Sequence, residues 1–405
     1  MAVPKLRFKA DDGNDYPNLE ETKLDALMTF KNGINATGDK FGRGTKCISV
    51  MDILNNSYIT YGVIKGEVDV DEKTLQNFTV DYGDAVFQRS SENVQDAGRA
   101  NVYMDKDRPA TFSGFVIRGK RIANYEPMFM NGLLNTFSVR KQIMKKAQGA
   151  QHINIGQEIL SSVRVNMPSL PEQHKIAEFL STIDTVIEKQ NETIIAWEER
   201  KKGVMQKLFS QEVRFKADDG SDFPEWEEKK LGEVFTERTE RSKGGESLLS
   251  VTIAQGIIKQ SETDKRNSAS ENKSNYKIVK KNDLAYNTMR MWQGAEGVSE
   301  YDGIVSPAYT VITALDGNNS YFFETMFKQT FMLQVFQRYS QGMTSDTWNL
   351  KFPAFSEIKC QVPCEDEQNK IVECVAVLDK VIEKQKATLV AWKELKKGLL
   401  QQMFV

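Results

Sequence analysis

EQHKIAEFLSTIDTVIEKQNETIIAWEERKKGVMQKLF, residues 172–209, decides the architecture, because the chain contains it twice. Residues 367–404 read EQNKIVECVAVLDKVIEKQKATLVAWKELKKGLLQQMF, at a constant offset of 195 with no gap. Ile176, Ile183, Gln190, Trp197 and Val204 recur every seven residues, and Leu180, Ile187, Ile194, Lys201 and Leu208 follow each by four. The copy repeats this with Ile371, Leu378, Gln385, Trp392 and Leu399, then Val375, Ile382, Leu389, Lys396 and Met403. Alternating three-four spacing over five heptads is a coiled-coil seam. No Pro interrupts either copy after its start, and each has a single Gly near its end, Gly203 and Gly398. Each helix is expected to run about 38 residues, or roughly 57 Å at 1.5 Å per residue. The polar seam positions, Gln190/Gln385 and Lys201/Lys396, are copied along with the apolar ones, and such residues fix register and partner. The two helices are therefore expected to pair, most simply with each other. Trp197 and Trp392 are expected in the core of the seam.

Working outward, a second repeat flanks the helices. RFKADDGNDYP (7–17) returns as RFKADDGSDFP (214–224), a polar, Gly- and Pro-punctuated stretch that reads as a turn-rich connector. The first helix runs straight into the second connector, whereas the other connector begins the chain and the other helix ends it. A unit of helix, connector and globule thus occurs twice, opened inside one junction. A pseudo-two-fold relation between the copies would bring the N-terminus beside the C-terminus and close the chain into a ring. The expected divisions are 1–18 (connector), 19–167 (first globule), 168–210 (first helix), 211–225 (connector), 226–363 (second globule) and 364–405 (second helix).

Both globules read as mixed α/β. In the first, Gly83-Asp84 opens the strand AVFQ, followed by a polar loop at Arg89, a strand in SGFVIRG (113–119), a helix over 127–146, a loop at 147–152 and the strand SSVRV (161–165). In the second, Asn282-Asp283 opens LAYN. A loop over 288–294, the strand GIVSPAYTVI (303–312), a helix over 321–338, a loop over 340–348 and EIKCQVP (357–363) follow. A shared scaffold with different loops is how related modules read different ligands.

Composition excludes much. At 405 residues there is room for two or three cores. No run approaches the ~18 apolar residues of a membrane span, and MAVPKLRFKADDG lacks the apolar stretch of a signal peptide. Cys47, Cys360, Cys364 and Cys374 form no C-x-x-C and are expected to be structural thiols in a reducing cytoplasm. The two His, His152 and His174, have no metal-ligand spacing. GxSxG, HExxH and a complete Walker A loop are missing, and Gly33…Gly38-Asp39-Lys40 reads as a turn. A net charge of −2 argues against a simple basic nucleic-acid binder but leaves local basic patches open. Catalysis by this chain alone is not expected.

MPSLPEQHKIAEFLSTID (167–184) with VIEKQ and RKKGVMQKLF, the connector RFKADDGSDFPEWEEKKLGE (214–233), and NTMRMWQGAEGV…DGIVSPAY (287–309) carry a resemblance. Over essentially its whole length the chain resembles the specificity subunit of type I restriction–modification enzymes. One departure is VPCEDEQ (362–368), where a Pro-Leu-rich helix entry is typical. The resemblance implies an α+β, mixed α/β fold: two target-recognition globules joined by two long antiparallel coiled-coil helices, pseudo-two-fold and circularly arranged. It implies a cytoplasmic, non-catalytic adaptor that reads a split, asymmetric double-stranded DNA target, one half-site per globule, with the helix pair as spacer. Two modification subunits, with S-adenosylmethionine for adenine N6 methylation, and restriction subunits, with ATP and Mg, would be its partners. No cofactor or metal is expected on this chain.

The residues themselves support the same mechanism: two dissimilar readers a fixed distance apart, with half-site centres about one helical turn, ~10 bp, from each other. Base edges call for Arg, Asn, Gln, Ser and Thr, and phosphates for Lys and Arg. In the first globule the candidates are Arg43, Lys46, Arg89, Ser90, Ser91, Arg118, Lys120, Arg121, Gln148, Gln151 and His152. In the second they are Thr288, Arg290, Trp292, Gln293, Ser306, Tyr309, Gln341, Thr344 and Ser345. Trp292 reads either as core or as a base wedge, and Ser90-Ser91 as contacts or as a helix cap. A coiled-coil scaffold that binds proteins, and a free-standing regulator on a split DNA site, are the other readings.

Overall fold

The two copies of the long repeat are the two longest elements of the chain, helices Leu170–Phe209 and Glu365–Met403, of 40 and 39 residues. They belong to a computed structural model that describes residues 4–147, 153–253, 255–262 and 272–404. The chain divides into two compact units: Met1–Thr193 with Gln385–Val405, and Ile194–Lys384. Each unit thus contains one globule, half of the first long helix and half of the second.

In the first unit the two helical halves run antiparallel. Gln190 Nε2 donates to Gln385 Oε1 (2.7 Å) and to the Gln385 carbonyl (2.9 Å), and Lys396 bonds Asp184. In the second unit Lys201 Nζ makes the matching bond to Asp379 Oδ1 (2.6 Å). The copied lysines therefore meet the copied aspartates on the opposite helix, a partner the heptad pattern did not reveal. Along the seam Ile176, Leu180, Ile183, Ile194, Leu208, Ile371, Val375, Ile382 and Met403 are buried. Ile187, Val204, Leu378, Leu389 and Leu399 are half-buried. Trp197 and Trp392 correct the expectation of core indoles, since both are only half-buried and Arg200 lies 5.4 Å over the Trp197 ring. A two-helix seam is narrower than an indole, so the ring edge stays outside.

The connector repeat is a clamp rather than a simple turn. Arg7 donates to both carboxylate oxygens of Glu172 (2.9 and 2.6 Å) and to the Pro17 carbonyl (2.7 Å). In the second unit Arg214 does the same to Glu367 (3.1 and 2.8 Å) and to Pro224 (2.5 Å), and Trp226 Nε1 adds a third bond to Glu367 (3.1 Å). Both glutamates are 1 % exposed. Carboxylates in the first turn of a helix also favour its positive end. One residue on, Gln173 and Gln368 accept from the backbone N–H of Glu126 and Asn319, which pins the following globule helix in each unit. In the first unit the Leu6 N–H donates to the Gln402 carbonyl (3.1 Å), so the two ends of the chain meet there.

Each globule is built on an antiparallel four-stranded sheet of the same order. In the first the strands are Met28–Asn32, Val116–Arg121, Ala85–Gln88 and Ala100–Val102. In the second they are Phe235–Glu237, Tyr309–Ala314, Leu284–Asn287 and Glu296–Val298. Helices cover one face and join the core to the long helices: Phe129 stacks on Phe404 (5.2 Å) in the first unit, and Phe322 packs on Phe209 (5.7 Å) in the second. The helix expected over 127–146 is two, Pro127–Leu134 and Phe137–Lys146, because Asn135 and Thr136 leave helical geometry to bond the Ala100 and Leu133 carbonyls. That over 321–338 likewise splits into Ser320–Phe327 and Thr330–Tyr339 at extended Gln329. GIVSPAYTVI is two strands, Gly303–Val305 and Tyr309–Ala314, parted at Pro307, which has no N–H for a ladder. SSVRV also shifts: Ser161 ends the helix Gln157–Ser161 and the strand is Arg164–Met167. Gly38–Lys40 is a 3-10 turn. Burial pushes the Cys47 and Cys360 thiols up to about 12, so both stay protonated at neutral pH. Among the described residues no helix is long and apolar enough to cross a membrane.

Candidate nucleic-acid interface

In the second globule the central strand Leu284–Asn287 delivers its C-terminal end into a knot of three loops. The Thr288 N–H and Oγ1 both donate to the Ala308 carbonyl (3.3 and 3.0 Å), and the Thr288 carbonyl accepts from the Leu350 N–H (2.8 Å). These bonds tie loop 288–294 to loops 306–308 and 340–350. Loop 288–294 is closed on itself as well. The Asn287 side chain accepts from the Met289 N–H (3.0 Å), and the Arg290 carbonyl accepts from Gln293 and Ala295 (3.0 and 3.2 Å). Gly294 closes the turn at φ +80°, a left-handed geometry that costs glycine nothing.

Trp292 is neither buried core nor a free wedge. Its Nε1 donates to the Met289 carbonyl (3.2 Å) and its ring meets Trp348 edge-on at 5.3 Å, bracing the third loop. That loop is pinched by reciprocal backbone bonds between Gln341 and Asn349 (2.9 and 2.8 Å). A Cβ on Gly342 would stand 2.6 Å from the Thr347 carbonyl oxygen, so only glycine permits the close approach. Thr344 is bonded to Thr347, Ser306 to Ala308, and Tyr309 is half-buried against the core. Gln293, Gln341, Met343 and Ser345 are exposed, Met343 at 99 %. The Arg290 guanidinium makes no hydrogen bond or ion pair among the described residues.

The first globule repeats the knot. The Arg89 N–H donates to the Phe115 carbonyl (2.9 Å), Arg89 Nη1 to Gly114 (3.1 Å), and the Arg89 carbonyl accepts from Ile155 (2.9 Å). Arg89 thus occupies the place of Thr288, a tie between loops. Ser90 and Ser91 pair as a short strand with Asn154 and Ile153, which corrects the helix-cap reading. Phe115, 66 % exposed, lies in the second loop. Gln148, Gln151 and His152 lie outside the described residues.

The basic run Arg118, Lys120 and Arg121 is bonded within the fold. Arg118 is 8 % exposed and bonds the Thr79 carbonyl. Lys120 bonds Asp81 and Asp84, and Arg121 bonds Ala123, Asn124 and Tyr125. Lys120 and the Arg121 backbone N–H serve Asp84, a carboxylate 1 % exposed whose pKa burial drives upward. Its counterpart Asp283 takes Arg238 at 2.6 and 3.0 Å. The matched Gly83-Asp84 and Asn282-Asp283 pairs were the available signal for this. Arg43 and Lys46 lie on the strand Phe41–Ile48 and pair with Asp69 (3.1 Å) and Glu67 (3.0 Å). Among the described residues neither side chain bonds the loops that Arg89 ties together.

Comparison with known proteins bears on both knots together. A family model described as type I restriction modification DNA specificity domain matches residues 46–196 and again 224–390, one match per globule with its adjoining long helix. The chain belongs to this family. Among curated relatives, the MjaX specificity subunit assigned to a type I restriction enzyme of Methanocaldococcus jannaschii is 27% identical over 244 residues, 56% of this chain and 55% of that one. The MjaVIII specificity subunit of the same organism is 36% identical over 94 residues, 22% of each. The chain therefore spans about half the length of the first curated relative that it matches. The crystal structure of a type I restriction–modification S subunit from M. genitalium shares the fold at a TM-score of 0.50 and 17% identity, covering 100% of this chain and 99% of that one. A chain from a structural study of type I system assembly and conformational transition matches at 0.59 and 14% identity, covering 96% and 97%.

Proposed function

We propose that this chain is the DNA-reading, non-catalytic specificity component of a type I restriction–modification enzyme. Each three-loop knot reads one half of a split, asymmetric site, and the length of the helix pair sets the number of base pairs left unread. Two modification subunits bring S-adenosylmethionine and adenine N6 methylation; restriction subunits bring ATP, Mg and cleavage. The single observation that carries this reading is the duplicated knot: one sheet order and one tie position, Arg89 and Thr288, beneath loops of unlike sequence. Exposed Ile195, Val377, Val390 and Leu395 on the long helices are apolar side chains of the kind that partner subunits cover.

The test is methylome sequencing of cells that carry this chain with its modification subunit, followed by a band shift of the assembled complex at several salt concentrations. A single bipartite adenine-methylated motif, and binding that weakens with salt, are expected. Protein partners without any DNA shift would favour a scaffold, and a specific shift by this chain alone would favour a free-standing regulator.

A further inference from the structure

We propose that Arg290 reads a guanine in the half-site of the second globule, through the O6 and N7 edge in the major groove. This rests on the DNA-reading function proposed above. The other candidate cations are already engaged. Arg43 and Lys46 are ion-paired, Arg89 is a loop tie, Arg118 is buried on a carbonyl, Lys120 pairs with Asp84, and Arg121 bonds the turn 123–125. Arg290 alone among these keeps its fork of five N–H donors unspent by any described residue.

The backbone beneath Arg290 is fixed. Its N–H donates to the Asn287 carbonyl (3.0 Å), its carbonyl accepts twice, and Asn287 itself ends the central strand of the sheet. Trp292, two residues on, is braced by Trp348. The loop has satisfied its own backbone and leaves a half-buried Arg290 without a bonded partner among the described residues. A fixed fork with two parallel donors matches guanine O6 and N7, and such a pair discriminates strongly against other bases. A guanidinium fork also fits a phosphate, and the base replacement and the salt slope separate the two. Gln293, an exposed polar residue, ends the 3-10 turn that begins just after Arg290.

Once the methylated motif is known, binding of the assembled specificity–modification complex to it is measured with wild type, Arg290→Ala and Arg290→Lys. The duplexes carry 7-deazaguanine, which lacks the N7 acceptor, at each guanine of the second half-site in turn. Wild type is expected to lose roughly tenfold at one guanine. Arg290→Ala is expected to lose roughly ten- to hundredfold overall and to be indifferent to that same replacement. Arg290→Lys, which keeps the charge but not the fork, should also lose discrimination at that position. A uniform loss across all sequences, with a salt slope lower by about one, would make Arg290 a phosphate contact and overturn the assignment. So would a second half-site without guanine, or no position at which the replacement matters. Thermal unfolding of both variants should match wild type, since the side chain has no described partner in the fold. If wild type binds no DNA, the underlying reading fails; if wild type binds and Arg290→Ala is unaffected, only this assignment fails.

Discussion

Arg214→Ala removes one half of a buried ion pair and leaves the other behind. Glu367 is 1 % exposed and holds three bonds, two from Arg214 and one from Trp226. Stripping one partner from a buried pair costs roughly 3–5 kcal/mol, mostly the cost of an uncompensated charge. Arg214 is itself 19 % exposed on its side chain and the Trp226 bond survives, which places this variant near the lower end, about 3 kcal/mol. Arg7→Ala is the harsher version, since among the described residues Arg7 alone bonds the Glu172 carboxylate. It should cost about 1.5 kcal/mol more, the worth of one hydrogen bond to a charged group at its lower end. Glu367→Gln in the Arg214→Ala background should recover part of the loss by neutralising the stranded group. The assay is urea unfolding followed by tryptophan fluorescence, to which Trp226 beside Glu367 contributes. Losses under about 1 kcal/mol for both arginine variants, or no recovery with glutamine, would refute the reading of the connector as a clamp.

Other consequences are open to measurement. Glu296 is fully buried with neither carboxylate oxygen hydrogen-bonded, and Lys328 is no nearer than 3.7 Å, so burial holds its pKa well above the ordinary carboxylate value. The folded chain keeps that proton after the unfolded chain has lost it, so the contribution to stability falls as pH rises above about 4.5. Melting temperatures of Glu296→Gln across pH 5–8 should show a flatter profile than wild type, and parallel profiles would contradict the argument. Lys201→Ala and Asp379→Ala, which break a half-exposed pair, should each cost less than about 1 kcal/mol, read by the same urea titration. Exchanging residues 226–362 for those of another family member should change one half of the methylated motif and leave the other; a change in both halves, or neither, would end the modular account. Lengthening both long helices by one heptad should widen the unread gap or abolish binding, and an unchanged gap would rule out the spacer role.

The long helices were legible because a seam writes itself in a period that survives duplication, and the sheet strands because AVFQ and LAYN are short apolar runs between turn signals. What escaped was interaction at a distance. Nothing local marks Arg7 for Glu172, 165 residues away, or Lys201 for Asp379. The helix breaks at Asn135 and Gln329 were hidden because the residues around them are adequate helix formers, and tertiary bonds decided otherwise. The bonds of the basic residues within the fold were hidden for the same reason. Charge in a sequence says that a partner exists, not whether that partner is a phosphate outside or an aspartate inside.

Leu6 bonded to Gln402, and Phe129 stacked on Phe404, fix the order in which the molecule can be finished during synthesis. Every residue of the unit Ile194–Lys384 leaves the ribosome before the other unit has its last strip of core. The later-translated globule can thus be complete while the earlier one still exposes the apolar face awaiting Leu399, Met403 and Phe404. Without residues 399–404 that face of the first unit would stay uncovered.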